Sequence, residues 1–254
     1  MIVNPKKRLG QHFLINNNIA SDIVDSLECD EAINIIEIGP GMGALTTHLI
    51  KKPNPLILIE IDQESIAFLK KNFKETKIIH ADFLKLKFEI LKLKKCVIIG
   101  NFPYNISSQI LFKIIENRHV IDETVGMFQK EVAERICSKP HSKKYGILSV
   151  LTQAYFHCEY LLDVSPMHFH PKPKVDSAVI KLTRNKIKEL QCNHKHFRQV
   201  VKAGFNQRRK KLKNALKNFS NLEDQSLSLI LSKRAEELSV SDFIILTNQI
   251  FSNS

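Results

Sequence analysis

Residues 101–104, with the sequence Asn-Phe-Pro-Tyr, combine groups that suit chemistry on the exocyclic amine of adenine. That amine is a poor nucleophile because its lone pair is delocalised into the ring, so it needs acceptors for both of its hydrogens. Asn101 supplies a side-chain oxygen, and Phe102 or Pro103 supplies a backbone carbonyl in a restricted, extended segment. Tyr104 offers a flat face for a flipped base. As an isolated tetrapeptide, the segment is better explained as a strand-ending turn. Its position after an apolar strand, downstream of a glycine-rich turn, favours the chemical interpretation.

A second group of residues indicates a nucleoside-binding crevice. The glycine-rich turn at residues 37–43 (EIGPGMG) follows an apolar run and precedes a helical pattern, and Gly39 lets the backbone turn sharply beside a ligand. Glu60 ends the next strand, where doubly wound nucleotide folds bind ribose hydroxyls. Asp82 ends the third strand and is placed to bind an adenine amine. The alternative is a tight turn with ordinary surface carboxylates, which the two acids at successive strand ends disfavour.

The glycine spacing bears on which cofactor binds. A dinucleotide fingerprint reads G-x-G-x-x-G, whereas residues 39–43 read G-P-G-M-G. The turn containing Pro40 offers fewer N–H groups to a pyrophosphate. The pattern therefore favours a nucleoside without phosphates, such as S-adenosylmethionine.

Phe169 is a second aromatic candidate for contact with the base. Pro171 and Pro173 hold its loop extended, so the ring is predicted to face the base opposite Tyr104. The equally weighted alternative is that Phe169 packs beneath its own loop.

These residues require an α/β scaffold. Short β-branched runs predict strands at residues 33–38, 56–61, 77–80, 96–99 and 125–128. Helical spacing predicts intervening helices at residues 44–52, 66–73 and 110–115. Strands that are apolar throughout and alternate with helices predict a parallel sheet covered on both sides. Residues 158–184 add a possible antiparallel edge hairpin.

The charge of the chain favours a polyanionic partner. The 254 residues carry 38 Lys and Arg against 26 Asp and Glu, a formal charge of +12. RNA, DNA and an anionic membrane are all compatible with that excess. No apolar run approaches the roughly 18 residues of a membrane-spanning helix, and the amino terminus lacks the apolar stretch of a secretory signal.

A change in pattern divides the chain into two expected domains. Residues 1–185 form the expected catalytic domain, and residues 186–254 form a small basic helical domain for RNA binding. The second segment holds 13 basic and 6 acidic residues, a balance of +7, against +5 for the first segment.

Within the second segment, residues 202–217 contain seven basic residues and no acidic one. Their spacing predicts one helix that is anchored by an apolar face and presents a basic row to phosphates. A solvated face is the alternative, but like charges four residues apart destabilise an isolated helix and so favour an anionic partner. The candidate RNA-binding residues are Arg208, Arg209, Lys210, Lys211 and Lys213.

Cysteine usage indicates a reducing compartment, and we expect a cytoplasmic protein. The five cysteines are widely spaced and include no C-x-x-C pair. Cys192, His194 and His196 form a compact group, but no fourth ligand is signalled nearby. We therefore expect surface or linker residues there, and no metal site.

Together these motifs resemble the ribosomal RNA adenine dimethyltransferases, which modify two adjacent adenosines near the 3′ end of small-subunit RNA. The resemblance runs from about residue 6 to about residue 217. It includes the motifs above and the segments 7–14 (KRLGQHFL), 59–62 (IEID), 129–132 (QKEV), 173–177 (PKVDS) and 205–210 (FNQRRK).

The resemblance implies a Rossmann-like methyltransferase domain with S-adenosylmethionine as cofactor, followed by a small helical domain. By matching position, His12 and Leu14 cover the methionine end of the cofactor and Gly39 lines the turn. Glu60 binds the ribose and Asp82 the adenine. Asn101 contacts both the cofactor and the substrate amine. Position 12 is His where some members carry Asn, and position 102 is Phe where Leu is common.

The resemblance thus implies an enzyme that dimethylates small-subunit RNA, with a role in small-subunit biogenesis. Its partner is the RNA or the immature subunit, the membrane is disfavoured, and a monomer is expected. Two alternatives stay open. One is a methyltransferase of large-subunit RNA of the macrolide-resistance type, and the other is a non-catalytic assembly factor.

Overall fold

A computed structural model describes residues 3–185, 187, 189–219, 222 and 227–252. The chain forms two compact units. The first comprises residues 1–133 and 157–184, and the second comprises residues 134–156 and 185–254. The second unit thus includes residues 134–156, which the sequence analysis assigned to the catalytic domain. Their apolar side chains pack within the second unit, as in the contact of Tyr145 with Phe205 at 6.1 Å between ring centroids.

The first unit is built on a seven-stranded sheet. In chain order its strands are β2 (Asn34–Ile38), β3 (Leu56–Glu60), β4 (Lys77–His80), β5 (Cys96–Asn101), β6 (Ile121–Gln129), β7 (Phe156–Val164) and β9 (Ser177–Arg184). The spatial order is β4-β3-β2-β5-β6-β9-β7. The first five run parallel, and β9 pairs antiparallel with β6. All five predicted strands are present. The predicted antiparallel hairpin corresponds to β7 and β9, of which β7 forms the edge of the sheet.

The direction of strand addition reverses between β2 and β5, so the connections leave a crevice at their carboxyl ends. The helices of this unit are α1 (Asn17–Asp25), α2 (Thr46–Leu49), α3 (Gln63–Asn72), α4 (Ser107–Glu116) and α5 (Lys130–Cys137), the last of which runs into the second unit. Helix α2 is shorter than the predicted 44–52 because turns occupy both of its flanks. The α/β class is confirmed.

A two-stranded sheet lies outside the main sheet. It pairs β1 (Phe13–Leu14) with β8 (Phe169–His170) in antiparallel register, Leu14 opposite Phe169. Both of these side chains join an apolar core cluster with Ile35 and Val125 of the main sheet. The short sheet is thereby anchored to the strands that carry the crevice.

The second unit is helical in its described part. Its helices are α6 (Ile147–Gln153), α7 (His194–Asn206), α8 (Leu212–Ala215), α9 (Ser228–Ser232) and α10 (Val240–Ile250). The predicted continuous helix over residues 202–217 is wrong. The chain leaves the helix after Asn206, because Lys211 forms a β-bridge with Arg234 and the Leu212 N–H donates to the Lys233 carbonyl. Among the described residues, no helix is long and apolar enough to cross a membrane.

Candidate active site

A cavity of about 250 Å³ opens at the carboxyl ends of β2, β3 and β5. Its wall is formed by these strand ends and by the segment that precedes β1. Among its lining residues are Arg8, His12, Gly39, Glu60, Asp82, Asn101 and Tyr104. The fold therefore brings together candidates that are far apart in the sequence.

The glycine-rich turn shapes one side of the cavity. Gly39 has a φ of +66°, and a Cβ placed on it would meet no atom within 4 Å, so the backbone borders open space. Gly41 has a φ of +56°, and its Cβ would lie 2.7 Å from the Phe13 ring. Both positions thus favour glycine, the first beside the cavity and the second under a packed ring.

Glu60 is fixed at the end of β3 and is only 3% exposed. Its Oε1 accepts the N–H groups of Ile61 and Asp62, both at 2.8 Å, and its Oε2 accepts the Gly41 N–H at 3.0 Å. Burial raises the pKa of the Glu60 carboxyl, while these three bonds oppose the shift. The remaining lone pairs of a carboxylate held in this way can accept from a ligand hydroxyl.

Asp82 is held more loosely. Its Oδ1 accepts the Leu84 N–H at 2.9 Å, and its side chain is 28% exposed. Its Oδ2 lies 4.0 Å from the Lys85 ammonium, and Asp82 is among the residues that line the cavity. The carboxylate therefore has acceptor capacity for an amine bound in the crevice.

Asn101 ends β5, and its amide orientation is set by the segment before β1. The Nδ2 atom donates to the His12 carbonyl at 2.7 Å. Because Nδ2 is the donor there, Oδ1 is the acceptor that Asn101 can offer to a substrate amine.

Phe102 follows with its ring completely buried, edge to face with Phe128 at 5.2 Å. A Cβ on Gly126 would lie 2.3 Å from the Phe102 ring. The Phe102 side chain therefore anchors the segment that Asn101 begins and Pro103 continues, and its contribution to the cavity wall is through the backbone.

Tyr104 is fixed at both ends of its side chain. Its hydroxyl bonds to the Ser177 hydroxyl, and the His12 imidazole stacks on its ring at 5.3 Å and 28°. Burial raises the pKa of the Tyr104 phenol. His12 in turn bonds through Nδ1 to the Pro171 carbonyl at 2.7 Å. Because one face of Tyr104 already contacts His12, a base has the other face to stack on.

Glu37 is a residue of the site that the sequence analysis quoted without giving it a role. It is 2% exposed, accepts the Thr46 hydroxyl at 2.6 Å and, with Leu14, lines a cavity of about 30 Å³ beyond Gly39. Burial raises the pKa of Glu37 to about 8. The available signal was its position two residues before Gly39, among the isoleucines of β2.

Phe169 does not reach the cavity. Its side chain is 1% exposed and packs in the core cluster with Leu14 and Val179. Pairing of β1 with β8 places Phe169 opposite Leu14, and its stacking on a base stays a prediction. Packing beneath its own loop, the alternative interpretation, describes what is observed.

The candidate RNA-binding residues lie in the second unit and differ among themselves. Arg209, Lys210, Lys211 and Lys213 are exposed. Arg208 instead donates from Nε to Glu236 at 2.6 Å and from a terminal nitrogen to the Ser142 carbonyl at 3.3 Å. Arg208 therefore links two segments of its own unit.

The two histidines near Cys192, which were considered as metal ligands, contact aromatic side chains instead. The Nδ1 atom of His194 bonds to the Tyr155 hydroxyl at 2.6 Å, and His196 stacks on Phe251 at 3.8 Å. Within the described ranges, no three His, Cys, Asp or Glu side chains are grouped so as to hold a metal ion.

The sequence matches the family described as "Ribosomal RNA adenine dimethylase" over residues 2–250. Among its relatives, "Ribosomal RNA small subunit methyltransferase A" of Phocaeicola vulgatus is 50% identical, with 98% of this chain and 90% of the relative covered. The protein of the same name from Cytophaga hutchinsonii is 52% identical, with 98% of each covered.

Solved structures of two methyltransferases superpose on this fold. A dimethyladenosine transferase from Plasmodium falciparum superposes with a TM-score of 0.81 at 25% identity, covering 93% of this chain and 97% of that one. The 23S rRNA methyltransferase ErmE superposes with a TM-score of 0.71 at 23% identity, covering 93% of this chain and all of that one. The expected Rossmann-like methyltransferase fold is confirmed.

Proposed function

The chain belongs to the ribosomal RNA adenine dimethylase family, and from this premise we propose that it dimethylates two adjacent adenosines near the 3′ end of small-subunit RNA. The observation that carries the proposal is the placement of Asn101. Its Nδ2 is bonded to the His12 carbonyl and its Oδ1 is left to accept, at the edge of a cavity that Glu60 and Asp82 also line.

The cavity fits S-adenosylmethionine by the chemistry of its donors and by its shape. Gly39 borders open space that a Cβ would enter, so the turn can receive the body of a nucleoside. Glu60 is proposed to hold the ribose hydroxyls and Asp82 the adenine amine. His12, Leu14 and Gly39 are proposed to surround the methionine end. When bound, this cofactor supplies an electrophilic methyl group on a sulfonium sulfur.

The protein residues act by binding and orientation. Asn101 Oδ1 accepts one hydrogen of the adenine amine, and a backbone carbonyl of Phe102 or Pro103 accepts the other. Both bonds draw the amine nitrogen towards a pyramidal geometry, so that its lone pair faces the methyl group. Tyr104 stacks on the base with the face turned away from His12. Acceptors of this kind contribute to catalysis because their positions are set before the reaction begins.

The partner that we propose is small-subunit ribosomal RNA or an immature small subunit. The names of the two relatives support that choice. The exposed residues Arg209, Lys210, Lys211 and Lys213 support a docking surface for phosphates. Such contacts supply affinity without sequence choice, so selection of the adenosine belongs to the cavity and its surroundings.

We place this activity in the cytoplasm, with one chain sufficient for catalysis. All five cysteines have free thiols, which suits a reducing compartment. The residues proposed to bind the cofactor and the base all come from the first unit of a single chain.

The test is to incubate the protein and S-adenosylmethionine with unmethylated small-subunit RNA, immature small subunits and large-subunit RNA. Products are digested to nucleosides, and their positions are mapped. Dimethyladenosine at two adjacent positions of the small-subunit RNA is expected. Methylation confined to large-subunit RNA would favour the macrolide-resistance type, and cofactor binding without any methylation would favour an assembly factor.

A further inference from the structure

Two large apolar side chains stand exposed beside the short β1–β8 sheet. Ile15, which follows β1, is 60% exposed, and Met167, which precedes β8, is 63% exposed. The Ile15 N–H donates to the His168 carbonyl at 2.9 Å, so the antiparallel pairing continues one residue beyond β1 and places Ile15 opposite the residue that follows Met167. Met167 itself lies in the short 3-10 turn Pro166–His168 that leads into β8.

The backbone that carries Ile15 and Met167 is held in place by buried neighbours. Leu14 and Phe169, which pair across the two strands, are 5% and 1% exposed and belong to the core cluster. The core is thus filled by the neighbours of Ile15 and Met167, and the two exposed side chains are left in water. Their position beside the proposed catalytic cavity makes these two side chains available to a bound partner.

The same strand pairing connects the pair to the proposed catalytic cavity. His12 Nδ1 bonds to the Pro171 carbonyl, and the His12 ring stacks on Tyr104. Ile15 lies three residues beyond His12, a distance of about 10 Å along an extended chain. Nucleotides that flank an adenosine in the cavity therefore lie within reach of Ile15 and Met167.

The surroundings of the pair suit a phosphate backbone. Lys172 and Lys174 are exposed in the loop that follows β8, and the loop of residues 165–176 has one acidic residue, Asp176. The Asn16 amide nitrogen lies 3.1 Å from His168 Nδ1. Because an amide nitrogen only donates, that bond makes Nδ1 the acceptor and leaves the ring proton on Nε2, as a further donor.

We propose that Ile15 and Met167 form an apolar wedge that enters the base stack of the substrate RNA beside the target adenosine. This inference rests on the proposed function, because an adenine must leave its stack before its amine can enter the cavity. Isoleucine and methionine are among the side chains that proteins insert between base steps, where they partially unstack the bases. Lys172 and Lys174 hold the phosphates on either side while the wedge occupies the gap.

The experiment uses an RNA fragment from the 3′ end of the small-subunit RNA in which the nucleotide beside the target adenosines is replaced by 2-aminopurine, whose fluorescence rises when its neighbour leaves the stack. The full-length protein is compared with the double variant Ile15→Ser, Met167→Ser. The double variant is expected to lose most of the fluorescence rise and to methylate unlabelled RNA with about tenfold lower kcat/KM. Cofactor affinity, measured by calorimetry, is expected to be unchanged.

Two controls separate a wedge from a general loss of apolar surface. Ile90→Ser changes a side chain that is 67% exposed elsewhere in the same unit, and it is expected to behave as the parent protein. An unstructured RNA of the same local sequence needs no unstacking, so it is expected to restore the double variant to within about twofold of the parent. Equal effects of the double variant and Ile90→Ser, or no rescue by the unstructured RNA, would overturn the wedge. Failure of the parent protein to methylate any RNA would instead overturn the proposed function.

Discussion

The cavity in the first unit and the basic turn of residues 207–210 in the second unit hold their charged groups in opposite ways. Glu60 is buried and fixed by three backbone N–H groups, whereas Arg209 and Lys210 extend into solvent. A reacting amine needs acceptors whose positions do not change, and a phosphate backbone needs only a positive field that it can approach. Burial therefore separates residues suited to chemistry from residues suited to docking.

Substitution of Asn101, an oriented group of the cavity, is expected to have the largest effect on catalysis. Asn101→Ala removes the Oδ1 acceptor and the bond to the His12 carbonyl. We expect kcat to fall by about 10²–10³, since one oriented hydrogen-bonding group contributes about that much. RNA affinity, measured by fluorescence anisotropy, should stay within about twofold of the parent because the phosphate contacts are unaffected.

The matched control is Asn72→Ala. Asn72 is exposed, and its side chain bonds to the Phe68 carbonyl of its own helix. This variant should keep full activity. An Asn101→Ala protein that turns over at the parental rate would show that Asn101 does not orient the amine.

Glu60 and Asp82 both line the cavity, but Glu60 is buried and Asp82 is partly exposed. Substituting each one compares how much a buried and a partly exposed carboxylate contribute to cofactor affinity. Glu60→Gln places an amide NH₂ among backbone N–H donors, so we expect cofactor affinity to fall about 30-fold, in line with the cost of an unsatisfied buried group. Asp82→Asn keeps an oxygen for the Leu84 N–H in a more exposed site, and we expect a fall of about fivefold. Calorimetric titration with S-adenosylmethionine measures both, and the reverse order of effects would contradict our assignment of the tighter contact to Glu60.

The buried carboxyl of Glu37 is expected to make the free energy of unfolding depend on pH. Its folded-state pKa of about 8 lies above the ordinary value of 4.5, so the native protein keeps a proton that the unfolded chain has lost between these pH values. The free energy of unfolding should therefore decline as pH rises through this window, by up to about 1.4 kcal/mol per pH unit, and this contribution should level off above pH 8. Urea denaturation at several pH values should show a weaker decline for Glu37→Gln, while an identical decline would contradict the shift.

Local sequence patterns predict those parts of the fold that are determined locally. The strands around residues 35, 57 and 98 are continuous apolar runs, and the glycine turn and residues 101–104 follow directly from them. For that reason the carboxyl edge of the sheet, and with it the placement of Glu60 and Asp82, could be predicted.

Local patterns do not predict those parts of the fold in which the decisive partner is distant in sequence. Phe169 is turned inward by pairing with Leu14, and the helix expected through residues 202–217 is broken by contacts of Lys211 and Leu212 with residues 233–234. Apolar spacing and charge are compatible with either outcome in both cases. Non-local pairing, which the pattern of one segment does not contain, selects between them.

Arg208 and Arg209 are adjacent but are expected to have different roles. Arg208 stabilises the second unit, whereas Arg209 is available to bind phosphate. Arg208→Ala removes donors to Glu236 and to the Ser142 carbonyl, and we expect the free energy of unfolding to fall by about 1 kcal/mol. Arg209→Ala changes an exposed side chain, and its effect should stay within about 0.5 kcal/mol. Urea denaturation of both variants measures the difference, and equal stabilities would show that the Arg208 contacts contribute nothing net.

Arg209 should give the smallest effect on catalysis and a specific effect on binding. If it contacts one phosphate, Arg209→Ala lowers RNA affinity by a similar factor for every RNA sequence and reduces the slope of log affinity against log salt by about 1. The value of kcat should not change, because the chemistry is confined to the fixed acceptors of the first unit. A variant with the parental salt slope would remove Arg209 from the docking surface. A variant with lower kcat at saturating RNA would mean that the basic turn also orients the adenosine, and the division of roles between buried and exposed charges would then fail.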